Sequence, residues 1–301
     1  MLKSFDELIT AVQEKPRKKI AIVSPEGSTV MKLVKQALEA KLADFILVGD
    51  EEKIKTMSAE AGFDANLINI INIIDQKEAA EEAVRLVVVG SANAIMKGNL
   101  PTATFMRAIL DKQKGLNDNK VISEITIYEK IVDAPGGGFR FITDCAINVS
   151  PTLDEKKQII ENAVGLAHKL GNDLPKVAVI SAVEVVNPAM PDTIEAAALS
   201  KMAERGQIEG CLIEGPLAFD NAISVESARY KKIKGEVAGQ ADIIMMPNLL
   251  SANPLRKCLV YYTQQRIATA VMGAKAPIVL TSRSDSADTM LLTIALAAYI
   301  S

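Results

Sequence analysis

The residues with the most evident chemistry fall in four short stretches, each following an apolar run. The stretch Ser282-Arg283-Ser284-Asp285-Ser286-Ala287-Asp288 gathers three hydroxyls, a guanidinium and two carboxylates within seven residues. Arginine's planar fork suits bidentate contact with phosphate, and a helix starting here would add amide donors and a favourable dipole. For the carboxylates the local pattern favours a cap at Asp285 and a first-turn acid at Asp288, worth about 0.3–1 kcal/mol at the dipole. Capping has no use for Arg283, which leaves it the phosphate candidate. In Met96-Lys97-Gly98-Asn99-Leu100-Pro101, a turn at Gly98 and Pro101 brings Thr102 and Thr104 ahead of a helix that carries Arg107. That is a second anion clamp or, judged alone, a surface arginine on an ordinary helix. The stretch 247–254 offers Asn248, Ser251 and Asn253, equally suited to a ligand or to Asx turns. The last, 214–222, combines a Gly-Pro turn with Asp220, which lines a cleft or caps a helix.

Several chemistries are excluded by composition. His168 is the single histidine, on a predicted helix near its C-terminus, so a Ser-His-Asp or Cys-His arrangement and a His-rich zinc site are not expected. No GxGxxG follows a strand and there is no GxxxxGK[ST], which removes the dinucleotide fingerprint and the P-loop. Cys145, Cys211 and Cys258 are far apart and form no CxxC pair, as expected of a reducing, cytoplasmic setting. Cys211 sits in an apolar run and reads as core packing. A net charge of −3 leaves no basic field for nucleic acid or an anionic membrane, and 4% aromatics with no Trp leave few stacking platforms for bases. The first residues, MLKSFDELITAVQEK, carry both charge signs and read as an amphipathic helix rather than an export signal. No apolar run reaches the ~18 residues of a spanning helix. The longest, at the end of the chain, is interrupted by Thr293 and reads as a buried helix.

The elements that must position these residues alternate. Short β-rich runs are expected at Lys19–Ser24, Phe45–Val48, Leu86–Gly90, Val177–Ser181, Cys211–Glu214, Ile243–Met246 and Ile278–Thr281. Between them, Val30–Leu42, Thr152–Leu170 and Thr193–Arg205 repeat apolar residues at three- and four-residue spacing. Such alternation, in a chain 49% apolar, predicts βαβ units and mainly parallel sheets covered on both faces. Val121–Tyr128 and Phe139–Thr143 flank Asp133-Ala134-Pro135-Gly136-Gly137-Gly138 and predict a hairpin, with a domain boundary after it near Asn148–Pro151. In open α/β sheets ligands sit beyond the carboxyl ends of strands, near which the candidate stretches fall, the one at 96–107 after Leu86–Gly90 and a short helix.

Taken in order, these stretches resemble the phosphate acetyltransferase and phosphate butyryltransferase family over nearly the whole chain. The resemblance is carried by MKG…T…R at 96–107, VAVIS at 177–181, GPLAFDNA at 215–222, ADIIMMPN at 241–248 and APIVLTSRSDS at 276–286. The last block, with VEVVNPAMPDTIEA at 183–196, is worded more like the butyryl branch. Where relatives tend to read Pro-Asn-x-Glu-Ala-Gly-Asn, residues 247–253 lack the acid and the glycine, and Met31 or Lys32 stands where acetyl enzymes carry an arginine.

The resemblance implies two α/β/α domains with mainly parallel sheets and an interdomain cleft, as in isocitrate-dehydrogenase-like folds. The final helix would return to the first domain, giving 1–148 plus 284–301 and 149–283. It implies reversible acyl transfer between coenzyme A and phosphate, with coenzyme A as a substrate, no bound cofactor, no metal, and a homodimer or higher homo-oligomer. Acetyl transfer, or coenzyme A binding without catalysis, are the alternatives. By motif, Ser282 and Arg283 match the family's SR pair and Arg107 its clamp arginine. Asp288 matches the catalytic aspartate, with Asp285 as competitor, and Thr102, Thr104, Asn248, Asn253 and Asp220 join the substrate-binding set. A thiol near pKa 8.5 and an aspartate near 3.9 differ by about 4.6 units, or roughly 6 kcal/mol against proton transfer, so the site must desolvate the acid and place cations near sulfur.

Overall fold

In the computed structural model, which describes residues 1–130, 137–282 and 284–301, the chain divides into two compact units. An N-terminal unit comprises Phe5–Lys120 and Ala268–Ser301, and a central unit comprises Met1–Ser4 and Val121–Ile267. The elements run α1 (Phe5–Gln13), β1 (Lys19–Val23), α2 (Ser28–Glu39), β2 (Asp44–Gly49), α3 (Glu51–Ala61), β3 (Asn69–Asn72), α4 (Gln76–Val88), β4 (Ala94–Lys97) and α5 (Thr102–Ile109). They continue through β5 (Ser123–Glu129), β6 (Phe139–Thr143), α6 (Leu153–Lys169), β7 (Lys176–Ile180), α7 (Pro191–Glu204), β8 (Leu212–Leu217), α8 (Phe219–Ile223), α9 (Val225–Tyr230), β9 (Ile243–Met245) and α10 (Leu249–Tyr261). The last elements are β10 (Ile267–Met272), β11 (Ile278–Val279) and α11 (Ala287–Ile300).

In the N-terminal unit the strand order is β3-β2-β1-β4-β11-β10, parallel as far as β11, with β10 antiparallel to β11. β1 and β2 are buried along almost every residue, as strands covered on both faces must be. Helix starts are written locally. The side chains of Asp50 and Asp75 accept from the first-turn amides of α3 and α4. α11 is apolar nearly all round and almost wholly buried, against α1, α2 and β11. Thr293, the polar interruption in it, accepts a hydrogen bond from the Thr269 amide at 3.1 Å.

The central unit has the order β5-β6-β9-β7-β8, parallel from β6 onward. The expected hairpin is present: β5 and β6 pair antiparallel from Ile125 with Thr143 to Glu129 with Phe139. Most of its glycine-rich tip, Asp133–Gly136, lies outside the described residues. Thr152 and Glu155 form a reciprocal capping box at the start of α6, and Gly171 follows that helix at φ 87°, the left-handed position glycine suits.

Two expectations differ from what is observed. Leu86–Gly90 is not a strand. Leu86–Val88 close α4, and the strand of this region is Ala94–Lys97. The apolar run fits either period, and the helix prevails because Asp75 caps it and Ala79, Ala83 and Leu86 continue its buried stripe. The second concerns the division of the chain. The compact units part at Lys120/Val121 and Ile267/Ala268, not near Asn148 and at 283. The hairpin goes with the central unit because β6 hydrogen-bonds in parallel to β9, from Phe141 with Ile243 to Thr143 with Met245.

The central unit buries one acid in an unusual setting. Glu124, fully enclosed, accepts from Thr126 Oγ1 at 2.9 Å and has Arg256 Nε at 4.0 Å, while its second oxygen has no hydrogen-bond partner. Burial pushes its carboxyl up to about 7; Arg256 opposes the rise and Asp144 adds to it. The native state therefore holds this proton more tightly than the unfolded chain does. The stability it contributes is full below about pH 4.5 and is lost as pH rises through 7. In thermal unfolding between pH 4.5 and 8, Glu124→Gln is expected to gain up to roughly 3 kcal/mol relative to wild type across that window. Parallel pH profiles for the two proteins would show that Glu124 does not titrate in this range.

Candidate functional site

The connectivity of the N-terminal unit marks one place for a ligand. From β1 the chain winds through α2, β2, α3 and β3 to one side of the sheet, then crosses back to lay β4 on the other side of β1. Loops leaving the carboxyl ends of β1 and β4 therefore diverge, and such a switch point is where open α/β sheets bind ligands. A cavity of about 280 Å³ lies there. It is lined by Gly27–Val30 and Leu33 from the start of α2, by Met96–Asn99 from the end of β4, by Thr281 and Ser282 after β11, and by Met290 of α11.

Its walls follow from local chemistry. Gly27 caps α2 and supplies no side-chain acceptor, so the first-turn amides of this helix are left for water or an anion. The hydroxyls of Ser28 and Thr29 stand in the same turn. Lys97 Nζ donates to the Gly98 carbonyl at 3.2 Å. The loops after β1 and β4 are tied together: the Gly98 amide donates to Val23 O at 2.9 Å, the Asn99 amide to Ser24 O at 2.6 Å, and Asn99 Nδ2 to Glu26 O at 3.0 Å. A Cβ on residue 98 would come within 2.3 Å of Ser24 O and 2.4 Å of Val23 O. Both are backbone atoms, so relief requires the loops to part. Gly98→Ala is expected to cost about 1–3 kcal/mol by chemical denaturation and to open the cavity. An unchanged denaturation midpoint would show that the loops yield freely.

Of the residues singled out from sequence, the cavity collects Ser282. Its amide donates to Asp285 Oδ2 at 2.8 Å, and its hydroxyl lies 3.0 Å from that of Ser284. Asp285 thus braces the loop that presents Ser282 and is not the helix cap; Ser286 is, accepting from the Thr289 amide at 3.1 Å. Asp288 is exposed in the first turn of α11. Arg283 lies outside the described residues. Thr102 and Thr104 stand in the first turn of α5 and Arg107 in its last, where a cation suits the helix dipole; none of the three lines the cavity.

The remaining candidates belong to the central unit and carry structural duties. Asn248 caps α10, accepting from the Ser251 amide at 3.1 Å, so residues 249–252 form the first turn of a helix. Asn253 Nδ2 donates to Cys145 O at 2.9 Å, bracing the turn in which Asp144 accepts from the amides of Ala146, Ile147 and Asn148. Asp220, in the first turn of α8, pairs with Lys231 at 3.5 Å. The cysteines offer little nucleophilic chemistry where they are enclosed. Burial raises the Cys145 thiol and pushes the half-buried Cys211, one residue ahead of β8, up to about 11. Sequence reasoning passed over Ser28, Thr29, Val30, Leu33 and Met290. The signal for the first two was present: Gly27-Ser28-Thr29 opens a helix directly after β1.

Among the described residues no group of three or more His, Cys, Asp or Glu is placed to hold a metal ion, and no helix is long and apolar enough to cross a membrane. Comparison with known proteins gives a consistent result. The chain is 45% identical over 300 residues to the phosphate butyryltransferase of Clostridium acetobutylicum, spanning 100% of this chain and 99% of that one. It is 42% identical over 295 residues to the phosphate acetyltransferase of Rhizobium meliloti, spanning 98% and 92%. Among solved structures, a branched-chain phosphotransacylase from Enterococcus faecalis V583 matches with a TM-score of 0.83 at 30% identity, over 94% of this chain and 98% of that one. The family model described as phosphate acetyl/butaryl transferase matches residues 4–88 and 76–298, and with full-length relatives at this identity the chain belongs to that family.

Proposed function

We propose that this chain is a phosphate acyltransferase, converting butanoyl-CoA and phosphate reversibly to butanoyl phosphate and coenzyme A. The observation that carries the reading is the switch-point cavity, where uncapped amides of α2, the hydroxyls of Ser28, Thr29 and Ser282, and Lys97 surround a space suited to a small anion. The butyryltransferase relatives support the acyl chain chosen, and the acetyltransferase relatives make acetyl the competitor.

In the proposed chemistry a phosphate oxygen attacks the thioester carbonyl and the C–S bond breaks. In the reverse direction the thiolate attacks the acyl phosphate carbonyl and phosphate leaves. By their match to the family's motifs, Arg107 and Arg283 would complete the phosphate site from beyond the cavity's lining, with Thr102 and Thr104 on the same helix as Arg107. Ser282 donates to the carbonyl oxyanion as it develops. Asp288 takes the thiol proton in one direction and returns it in the other. Asp288 is exposed, and bound substrates would exclude water from around it. Asn248, Asn253 and Asp220 brace helix starts and turns within the central unit. The reading needs no resident cofactor or metal, and it places the enzyme in the cytoplasm as a homodimer or higher homo-oligomer.

The test is release of coenzyme A from butanoyl-CoA on addition of phosphate, followed with a thiol reagent. Phosphate-dependent release is expected. No release above a heat-inactivated control, with butanoyl- or acetyl-CoA, would overturn the reading.

A further inference from the structure

We propose that the apolar floor of the switch-point cavity, formed by Val30, Leu33, Met96 and Met290, seats the acyl chain and sets the chain length accepted. This rests on the phosphate acyltransferase reading of the same site. The cavity is divided by chemistry. Its rim carries hydroxyls, amides and an ammonium, whereas Leu33, Met96 and Met290 are 3%, 1% and 6% exposed and close it from within. Val30, half-buried one turn before Leu33, shares that face of α2 at a spacing of three.

Inorganic phosphate alone has use for the rim only. Val30, the one floor residue that is not fully buried, gains about 25 cal/mol per Å² of apolar surface that an alkyl chain covers, while Leu33, Met96 and Met290 offer that chain an apolar wall. A short acyl group with its carbonyl at the border satisfies both halves at once. The volume of about 280 Å³ lies at the small end for ligand sites, which suits a short chain. Two of the four floor residues are methionines, whose unbranched thioethers adapt to shape, so selectivity between neighbouring lengths is graded.

The experiment measures kcat/KM for acetyl-, butanoyl- and hexanoyl-CoA with phosphate in wild type, Met290→Ala, Val30→Ala and Val30→Phe. Truncation at either position is expected to raise the hexanoyl-to-butanoyl ratio about tenfold, and Val30→Phe to lower the butanoyl-to-acetyl ratio by a similar factor. Val30 is only half-buried, so its variants keep the test decisive if Met290→Ala does not fold. Should folded Val30 variants, checked by thermal unfolding, keep both ratios within about twofold of wild type, the floor is not the acyl seat, and acyl transfer itself still stands. A wild-type protein inactive with all three thioesters would instead remove the underlying reading, and this inference with it.

Discussion

Asp288→Asn is expected to slow acyl transfer by about 10²–10⁴-fold while the fold survives. The structure separates this outcome from a capping effect. Ser286 caps α11, so Asp288 is not the cap, and its first-turn charge adds about 0.3–1 kcal/mol at the helix dipole. Asparagine keeps the shape of the side chain and loses the ability to accept a proton as a base. The deficit should narrow at high pH, where free thiolate needs no base. Asp285→Asn is the comparison, because Asp285 spends a carboxylate oxygen on the Ser282 amide and asparagine retains an acceptor there. Its effect is expected to be smaller and nearly independent of pH. A severe loss at 285 with near-normal activity at 288 would move the base from Asp288 to Asp285. Small, equal losses at both would eliminate an aspartate base.

The second large effect is expected at Ser282. A donor aimed at a developing oxyanion acts in the transition state, so Ser282→Ala should lower kcat by about 10²–10³-fold with little change in KM. The loop that presents residue 282 should persist, because Asp285 holds it through the backbone amide, which alanine retains. The thermal midpoint is accordingly expected to stay near the wild-type value. A raised KM for phosphate with unchanged kcat would recast Ser282 as a binding hydroxyl.

Local signals in the sequence determined much of the architecture. Aspartates at 50 and 75 and the Thr152–Glu155 box mark helix starts, because these side chains satisfy amides a few residues away. Continuous apolar runs such as Ile20–Val23 announce buried parallel strands, and the ordered blocks from 96 to 286 carry the family. The place of Ser282, in a loop between a short strand and the final helix, was legible from the residues around it. Other features depend on partners distant in sequence. Leu86-Val87-Val88 suits a helix or a strand equally, and the buried stripe of α4 decides between them. The roles of Asn248 and Asn253 were open until α10 and the turn at Cys145 gave them bonding partners. The cavity was the least legible feature. Gly27–Val30, Lys97–Asn99 and Ser282 lie some 70 to 255 residues apart, and they meet because β4 crosses to the far side of β1 and β11 pairs beside β4. Strand order is a global property of the packed sheet, set by hydrogen bonds and burial between segments that local sequence cannot rank.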